Sequence, residues 1–582
     1  MHTDLQQSNE SEVSANTVHR DRELENSIVN ANKLIRASGK PNYLGCKIPV
    51  PTNINVDYLE GALQQYKDRV IVEMLKYGCP IGFQGKVERR QKSGNHKGAM
   101  EFEGCIDAYI VSEKERGAVL GPFDKSPFEG DLVISPLNSC PKKDTDDRRV
   151  IVDLSFPKQV AGGSVNSGIS KEQYLGDQIQ LRYPSVDNLV HIIREKGRGC
   201  ALFKRDLKRA YRQIPVDPGD VHLLGYEWKG RLYCDRVLTM GLRSGAFLCQ
   251  RVTNAVRYIA NRKGLQVVNY LDDFAGAESW ELADQAFEEL GSLLRECGLE
   301  ESPNKACRPS CRMLFLGILC DTESLTLEVS QERIKELREL LGEWQDKGFA
   351  SRKEVERLVG VLQFVSACVR PGRIFMARIL NMLRGMPEVG RVEVEEELRQ
   401  DIKWWQAFIE QYNGISMIPE AEWSEPDALV ACDACLEGAG GFYEGRYFHC
   451  RFPQFIVDQS IHINGLELLT IIVAFKVWGR LLTRKKVLML CDNLSSVVVS
   501  QTGRAKDRVL QACLRELVYT QARWGFEVRI QHVRGEENRI PDLLSRWELG
   551  PKYREEFFAR TVGQRLQETY IYEGSFHFSH DW

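Results

Sequence analysis

Residues 267–276 read VVNYLDDFAG, so that two adjacent acids, Asp272 and Asp273, interrupt a run of strand-forming residues. Apolar residues on both sides of a short polar break predict a β-hairpin with the acids at its tip. Taken alone, such a pair is more often a solvated turn, because adjacent carboxylates repel each other unless a cation neutralises them. The pair therefore needs partners elsewhere in the chain before it indicates chemistry.

A third acid ends an earlier strand-like run. Residues 201–206 read ALFKRD and close on Asp206, and a tight turn follows. Three carboxylates from two neighbouring strands can hold two divalent cations about 4 Å apart, the arrangement that in-line phosphoryl transfer needs. Oxygen-only ligands favour Mg²⁺, with Mn²⁺ as an alternative. The sequence therefore predicts a two-metal site built from three aspartates.

Basic residues upstream of these acids are candidates for binding nucleotide phosphates. Residues 141–144 read PKKD and residues 148–153 read RRVIVD, which supply Lys142 and Arg149. The pattern predicts a strand-loop-strand element whose cations could pair with a triphosphate. By itself, however, such a run is more often a solvated basic loop.

A second set of acids lies in the C-terminal part of the chain. Two apolar strand-like runs each end in an acid, at Asp433 and at Asp492. Glu467 interrupts an apolar helix, where burial is costly without a partner or a cation. Asp542 opens a short helix after a proline. Four acids at one sheet edge again predict two magnesium ions, here activating water to cleave a phosphodiester.

The bulk composition fits a multidomain globular protein. The chain of 582 residues is too long for one hydrophobic core, and its 43% hydrophobic and 27% charged content is ordinary. The formal net charge of −3 gives no overall attraction to nucleic acid, so such binding would need local basic faces. Its 17 irregularly spaced cysteines and the lack of an apolar leader or membrane-length apolar run predict an intracellular protein, cytoplasmic or nuclear, without membrane contact.

The secondary-structure pattern divides the chain into five segments. Residues 1–40 are polar and predict a disordered leader. Short strands and helices mix over residues 41–328, and apolar residues at helical spacing follow over residues 329–420. Strand and helix signals alternate over residues 427–548 as in a small α/β domain. The tail, residues 549–582, contains no motif that we can interpret.

The order of the first motifs resembles that of retroelement reverse transcriptases. Lys-Lys-Asp, Arg-x-x-x-Asp, Asp-Leu-Lys-x-x-Tyr and Tyr-x-Asp-Asp follow one another between about residues 115 and 320. The resemblance implies an α+β multidomain fold, with a right-hand polymerase of fingers, palm and thumb. Residues 41–328 would be fingers and palm, and residues 329–420 the thumb and connection.

The resemblance also assigns roles to the matching residues. These are Asp206, Asp272 and Asp273 for the metals, Lys142 and Arg149 for the triphosphate, Tyr211 for sugar selection, Met240 and Gly241 for template and nucleotide contact, and Lys305 for protonating pyrophosphate. An aromatic ring under the sugar leaves no room for a ribose 2'-hydroxyl, which explains the role of Tyr211. Lys305 could equally be an exposed structural lysine. Thr239 and Ala246 stand where many relatives have proline, so the loop's rigidity differs from the family pattern.

The C-terminal acids are spaced as in ribonuclease H, which implies an α/β domain of that type over residues 427–548. Metal ligands would be Asp433, Glu467, Asp492 and Asp542. His532 lies in the run QHVRGEEN, where that family keeps a histidine that assists proton transfer or product release, although a lone histidine is more often structural.

Several short stretches are most similar to DIRS-type, tyrosine-recombinase retrotransposons. They are VLGPF (119–123), SVNSGI (164–169), YRQIPV (211–216), HINGLEL (462–468) and DLLSR (542–546). This family pairs its polymerase with a tyrosine recombinase that is often encoded separately, and the sequence contains no evident recombinase, aspartic protease or zinc-knuckle motif. A gypsy-class or pararetroviral enzyme is the rival with the same chemistry.

The resemblance implies an enzyme that copies retrotransposon RNA, and also DNA, into DNA and degrades the RNA of the hybrid. Its partners would be an RNA template, a DNA primer, the RNA-DNA hybrid and dNTPs, with binding through local basic patches such as residues 89–92, 204–212 and 484–486. The alternative is a domesticated or decayed protein that binds nucleic acid without turnover.

Overall fold

The computed structural model describes residues 21–39, 41–85, 94–130, 132–142, 147–157, 163–181, 183–366, 368, 375–387, 389–412, 414–418, 425–502 and 507–579. The chain divides into two compact units. One comprises Met1–Ile192 and Cys200–Ser310, and the other Ile193–Gly199 and Cys311–Trp582.

The chain up to residue 310 mixes helices with short strands. Its helices are α1 (residues 21–38), α2 (Val56–Ala62), α3 (Val70–Tyr77), α4 (Lys97–Glu101), α5 (Glu103–Glu115), α6 (Val186–Lys196), α7 (Gly245–Arg262) and α8 (Trp280–Glu296). Its strands are β1 (Val119–Phe123), β2 (Leu137–Pro141), β3 (Arg148–Val152), β4 (Gln173–Tyr174), β5 (Asp177–Gln178), β6 (Ala201–Asp206), β7 (Gly225–Trp228), β8 (Arg231–Asp235), β9 (Val267–Tyr270), β10 (Asp273–Glu278) and β11 (Cys307–Ser310).

The sheet that carries the first acids has four antiparallel strands in the order β11-β6-β10-β9. Strand β6 is apolar and buried over Ala201, Leu202 and Phe203, and the Phe203 ring meets Phe287 of α8 edge to face. Because the face of β6 that carries Phe203 packs against α8, the register of β6 is fixed. Its last residue, Asp206, therefore lies at the end of the strand, at the edge of the sheet where the acids meet.

The N-terminal segment differs from the prediction. Residues 21–38, expected to be part of a disordered leader, form α1, with Ile28, Ala31 and Ile35 buried. Asn32 of the same helix donates to the carbonyl oxygen of Pro218 at 2.7 Å. The segment's polar composition concealed apolar residues at helical spacing, which is enough to dock one face of a helix. Residues 1–20 lie outside the described residues.

The second unit begins with strands and helices that precede the C-terminal sheet. They are β12 (Arg312–Phe315), β13 (Ile318–Asp321), β14 (Thr326–Val329), α9 (Gln331–Glu343), β15 (Phe349–Ser351), α10 (Arg352–Ser366), α11 (Ala377–Gly385), β16 (Arg391–Glu393), α12 (Glu396–Gln411) and β17 (Ile415–Met417). The predominance of helix between residues 331 and 411 agrees with the predicted spacing of apolar residues.

The C-terminal part is a six-stranded mixed sheet with helices. Its elements are β18 (Ala428–Ala434), β19 (Gly438–Tyr443), β20 (Arg446–Arg451), α13 (Gln454–Val457), α14 (Ile463–Leu482), β21 (Lys486–Cys491), α15 (Leu494–Thr502), α16 (Arg508–Trp524), β22 (Glu527–His532), α17 (Arg539–Ser545), α18 (Pro551–Arg560) and β23 (Gln567–Glu568). The strand order is β22-β21-β18-β19-β20-β23, with β18, β21 and β22 parallel. The tail belongs to this fold, because β23 pairs with β20.

The predicted fold class is confirmed: an α+β multidomain chain in which a polymerase-like region precedes an α/β ribonuclease H-like domain. The domain boundaries stay predictions. Among the described residues, no helix combines the length and apolar character required to cross a bilayer. The basic run 89–92 and Lys143 lie outside the described residues.

Candidate active sites

The first three acids meet at one edge of the four-stranded sheet. Asp206 ends β6 and Asp273 begins the antiparallel β10, and the two are register partners. Asp272 lies in the tight turn between β9 and β10, where Leu271 takes a positive φ of 52°. The hairpin predicted from the sequence therefore forms and brings its acids beside Asp206. The metal-binding role of these acids stays a prediction.

Two lysines compensate part of the negative charge at this edge. Nζ of Lys305 lies 3.0 Å from Oδ1 of Asp206, and Nζ of Lys204 lies 3.5 Å from Oδ1 of Asp273. The latter oxygen is buried and has no donor in hydrogen-bonding geometry. Burial, opposed by Lys204 and reinforced by Asp272 and Asp206, raises the pKa of Asp273 to about 6. Burial and then Asp206 also raise the pKa of Asp272.

An all-oxygen donor set with a buried, unsatisfied oxygen and a net negative charge fits a hard divalent cation such as Mg²⁺ or Mn²⁺. The three aspartates would supply the ligands.

Tyr211 lies next to this edge in a short 3₁₀ turn, Ala210–Gln213. Its ring packs against the first residue of α7, where a Cβ on Gly245 would stand 3.2 Å from Cε1 of the ring. Burial raises the pKa of Tyr211. Nearby thiol, phenol and carboxyl groups, including Asp272, raise it further. A neutral, half-buried ring beside the acids is compatible with the predicted sugar gate, whose function stays a prediction.

The Met240-Gly241 loop is held by a residue that the sequence alone did not single out. Gly241 has φ 97°, and its carbonyl oxygen accepts a 2.8 Å hydrogen bond from Nδ2 of Asn166. Oδ1 of Asn166 accepts from the backbone N–H of Arg243 at 2.8 Å. The buried Asn166 thus clamps the loop on both sides of Leu242. The available signal was its place in the run SVNSGI.

The basic candidates occupy an exposed hairpin. Strands β2 and β3 pair antiparallel, with Arg149 opposite Cys140. Lys142 extends β2 and pairs with Asp147 at 3.1 Å. Both predicted phosphate ligands are exposed, and their role stays a prediction. Lys305 is likewise exposed and pairs with Asp206, so the structure adds a contact and leaves open its predicted role as a proton donor.

The second set of acids meets at the carboxyl ends of the parallel strands. Asp433 lies near the end of β18, and Asp492 directly follows the neighbouring β21. Glu467 projects from α14 and is buried, and its Oε2 has no hydrogen-bond partner. Ligand atoms of Glu467, Cys491 and Asp492 all lie within 4.8 Å of one another. The structure therefore brings together acids that lie far apart in sequence.

Burial and mutual repulsion set the charge of this cluster. Burial, then Asp433 and Asp492, raise the pKa of Glu467 to about 9. Burial also raises the pKa of Asp433 to about 7, although a 2.6 Å hydrogen bond from Oγ of Ser545 opposes the shift. Burial raises the pKa of the Cys491 thiol to about 12. The four predicted ligands at this edge offer carboxylate oxygens. The unsatisfied Glu467 oxygen and this donor set fit Mg²⁺ or Mn²⁺.

The remaining two predicted residues lie at the same edge. Asp542, in α17, accepts hydrogen bonds from Arg539 at 2.7 Å and from Arg546 at 2.5 Å. His532 ends β22 opposite Cys491, and it is exposed. A Cβ on Gly535 would stand 3.5 Å from Oδ2 of Asp492, which places the loop after His532 beside that carboxylate. Catalytic roles for these residues stay predictions.

Sequence reasoning did not pair two of the nearby cations, Lys204 and Arg546, with the acids. Lys204 precedes Asp206 by two residues, and strand alternation puts both on one face, so the pattern contained the signal. Arg546 follows Asp542 by four residues in a helical stretch, the spacing of a helical ion pair.

The part of the chain that contains the first acids matches a known family. Residues 140–320 match the family model described as reverse transcriptase (RNA-dependent DNA polymerase). Curated relatives include Protein P of duck hepatitis B virus, strain United States/DHBV-16 (25% identity over 304 residues, 48% of this chain and 35% of the relative) and isolate white Shanghai duck S31 (25% over 304 residues, 48% and 38%). The chain thus spans little more than a third of the length of these relatives.

Similar solved structures include foamy viral protease-reverse transcriptase in complex with an RNA/DNA hybrid (14% identity, TM-score 0.39, 78% of this chain and 56% of that chain). Its dRH form in complex with double-stranded DNA shows 13% identity and a TM-score of 0.43, with 84% of each chain covered. The motif order, the meeting of the three aspartates and the family match agree in one respect: residues 140–320 of this chain are similar to the reverse transcriptase family.

Proposed function

We propose that this chain is an RNA- and DNA-directed DNA polymerase joined to a ribonuclease H that degrades the RNA of the hybrid. The observation that carries the proposal is the presence of two separate clusters of acids, each with a buried carboxylate oxygen that lacks a hydrogen-bond donor. Buried carboxylates that repel one another are costly unless a cation binds them.

In the polymerase, Asp206, Asp272 and Asp273 would hold two Mg²⁺ ions, or Mn²⁺ in their place. When bound, such ions activate the primer 3'-hydroxyl and neutralise the triphosphate and leaving pyrophosphate. The chain's own contribution is to orient the reactants and to exclude the wrong sugar. Tyr211 would exclude ribonucleotides, Lys142 and Arg149 would bind phosphates, and Lys305 would release Asp206 and donate a proton to pyrophosphate.

In the nuclease, Asp433, Glu467, Asp492 and Asp542 would hold two further ions. His532 is exposed at the mouth of this cluster, so it can accept or deliver a proton and let product leave. Ser545 orients Asp433 through its hydroxyl.

The proposed substrates are nucleic acids and nucleotides, and the proposed origin is a retrotransposon. The partners are an RNA template, a DNA primer, the resulting hybrid and dNTPs, and these substrates place the activity inside the cell, in cytoplasm or nucleus. Binding should be salt-dependent and largely independent of sequence. The short stretches similar to DIRS-type retrotransposons support copying of retrotransposon RNA, with a separately encoded tyrosine recombinase as a further partner.

The test is primer extension on an end-labelled RNA template with Mg²⁺, with both strands monitored. Wild type should extend the DNA and shorten the RNA. Asp272→Ala with Asp273→Ala should abolish extension alone, whereas Asp492→Ala should abolish RNA cleavage alone. Asp284→Asn, an exposed acid on α8, is a matched control.

A wild-type chain that binds the hybrid but neither extends nor cleaves, with either metal, would refute the enzyme and favour a decayed binding protein. Loss of both activities in Asp492→Ala would refute the assignment of separate sites.

A further inference from the structure

A buried carboxylate lies beneath the turn that carries Tyr211. Glu113, near the end of α5, is 3% exposed. Its Oε1 accepts a hydrogen bond from Nη1 of Arg209 at 2.6 Å, and its Oε2 accepts one from Nε of Arg212 at 2.7 Å. The two arginines flank Tyr211 in the sequence, two residues before it and one after it. One carboxylate therefore holds the turn on both sides of the ring.

The charges in this network depend on one another. Burial raises the pKa of Glu113, but Arg212 and Arg209 outweigh burial, so the pKa lies below its ordinary value and the carboxylate is charged. Arg212 also lies 2.9 Å from the fully buried Asp235, and Arg209 lies 3.1 Å from Glu300. Neutralising Glu113 takes from each arginine one of its two carboxylate partners, in a buried network where such a loss is costly. Loss of Glu113 therefore loosens both arginines at once.

The backbone of the turn needs this support. Arg209 adopts φ 52° and ψ 46°, in the left-handed region that a residue with a Cβ rarely adopts. Such a conformation persists only where the surroundings hold it in place. Here the contacts with Glu113 and Glu300 hold the Arg209 side chain, and Arg212 donates its backbone N–H to the carbonyl oxygen of Arg209 at 2.8 Å.

The ring of Tyr211 is thus held from two directions. The turn fixes its Cα, and α7 limits its ring through the close approach at Gly245. A ring that excludes a hydroxyl by contact depends on its position to within about 1 Å. Any relaxation of the turn lets the ring withdraw from the space that a 2'-hydroxyl would occupy.

We propose that Glu113 is a positioning residue for nucleotide selection, which holds the Tyr211 ring where it excludes ribonucleotides. The inference rests on the proposed polymerase function and on Tyr211 as the sugar gate. Strand β6, which carries Asp206, is paired to β10 and β11 and makes none of these contacts with Glu113. Neutralising Glu113 should therefore change sugar selection more than the rate of dNTP incorporation.

The experiment measures single-nucleotide incorporation by the full chain on a primed template. kcat and KM are determined for a dNTP and for the matching rNTP. The variants are Glu113→Gln, Tyr211→Val and the double variant. Glu115→Gln, an exposed acid of the same helix, is the matched control.

Glu113→Gln should lower the ratio of dNTP to rNTP kcat/KM by about tenfold or more, mainly through a lower KM for the rNTP. Tyr211→Val should lower it further. The double variant should match Tyr211→Val, because Glu113 acts through the ring that this substitution removes. If Glu113→Gln folds poorly, Glu113→Asp keeps the charge, shortens the reach to both arginines and should give a smaller shift in the same direction.

The results distinguish the role of Glu113 from the role of Tyr211 as the sugar gate. A ratio that changes in Tyr211→Val but in neither Glu113 variant overturns the inference and leaves the proposed function intact. Additive effects in the double variant also overturn it, since Glu113 would then act elsewhere. A ratio that stays constant in Tyr211→Val refutes the sugar gate itself, and the inference with it.

Discussion

Glu467→Gln should stabilise the metal-free protein while it abolishes ribonuclease H activity. Glu467 is buried beside Asp433 and Asp492, and one of its oxygens lacks a donor. Gln has nearly the same shape, carries no charge and can donate to the neighbouring carboxylates. The substitution therefore removes the free-energy cost of keeping Glu467 protonated in the folded state, and it leaves no cavity.

The magnitude follows from the pKa of Glu467, which rises from its ordinary value of 4.5 to about 9. The folded state retains a proton that the unfolded chain releases, so the stability from this group is complete below pH 4.5 and is lost as pH rises towards 9. pH 7 lies about 2.5 units above the ordinary pKa of Glu467. At about 1.36 kcal/mol per unit, keeping the proton at pH 7 therefore costs the folded state about 3 kcal/mol.

Since the neighbouring acids share the repulsion, we expect a gain of about 2 kcal/mol at pH 7, which corresponds to about 4 to 8 °C in melting temperature. Differential scanning calorimetry of the full chain in EDTA at pH 5 and pH 7 measures it. The gain should be small at pH 5. Mn²⁺ should then raise the melting temperature of wild type more than that of Glu467→Gln. Glu555→Gln, an exposed acid on α18, is the control.

A melting temperature for Glu467→Gln equal to or below that of wild type in EDTA at pH 7 would refute this reasoning. So would an equal stabilisation of both proteins by Mn²⁺, because Glu467 would then contribute nothing to metal binding.

Three further predictions follow from other buried or paired groups. Burial raises the pKa of Asp220 to about 7, and Asp217 adds to the shift. The stability that protonated Asp220 contributes is therefore lost between about pH 4 and 7. Asp220→Asn should raise the melting temperature at pH 8 and leave it unchanged at pH 4. Arg546→Ala frees an oxygen of Asp542, and calorimetric titration should show Mn²⁺ binding about 3- to 10-fold tighter. Removing the chain after residue 560 deletes β23 and the Ser579 donors to buried Glu516, and should destabilise the second unit by about 2 kcal/mol or more in thermal unfolding.

Each of these has its own control. Asp284→Asn should show no comparable pH dependence, and a similar response would contradict the assignment to Asp220. Arg560→Ala, which removes a more exposed arginine, should leave Mn²⁺ affinity unchanged. An unaltered melting profile in the shortened chain would contradict the structural role of the tail.

Much of the first site could be predicted because its determinants are local. The pattern around Asp272 and Asp273 specifies a hairpin, and the run that ends in Asp206 specifies a strand, so both features can be read without tertiary contacts. Glu467 was recognisable because a charge in an apolar helix conflicts with burial. The prediction was wrong at residues 21–38. It was based on the polar composition of the whole segment and overlooked the helical spacing of Ile28, Ala31 and Ile35.

The sequence by itself determined which strands end in acids and hence the two candidate centres, because strand alternation and helix periodicity are properties of neighbouring residues. Only the tertiary structure decided which charges from distant parts of the chain form ion pairs at or near the first centre. Glu113 stands 96 residues before Arg209, and the Lys305 that pairs with Asp206 stands 99 residues after it. Ion pairs at such separations form only when packing brings their strands and helices together, and no local pattern specifies the partner.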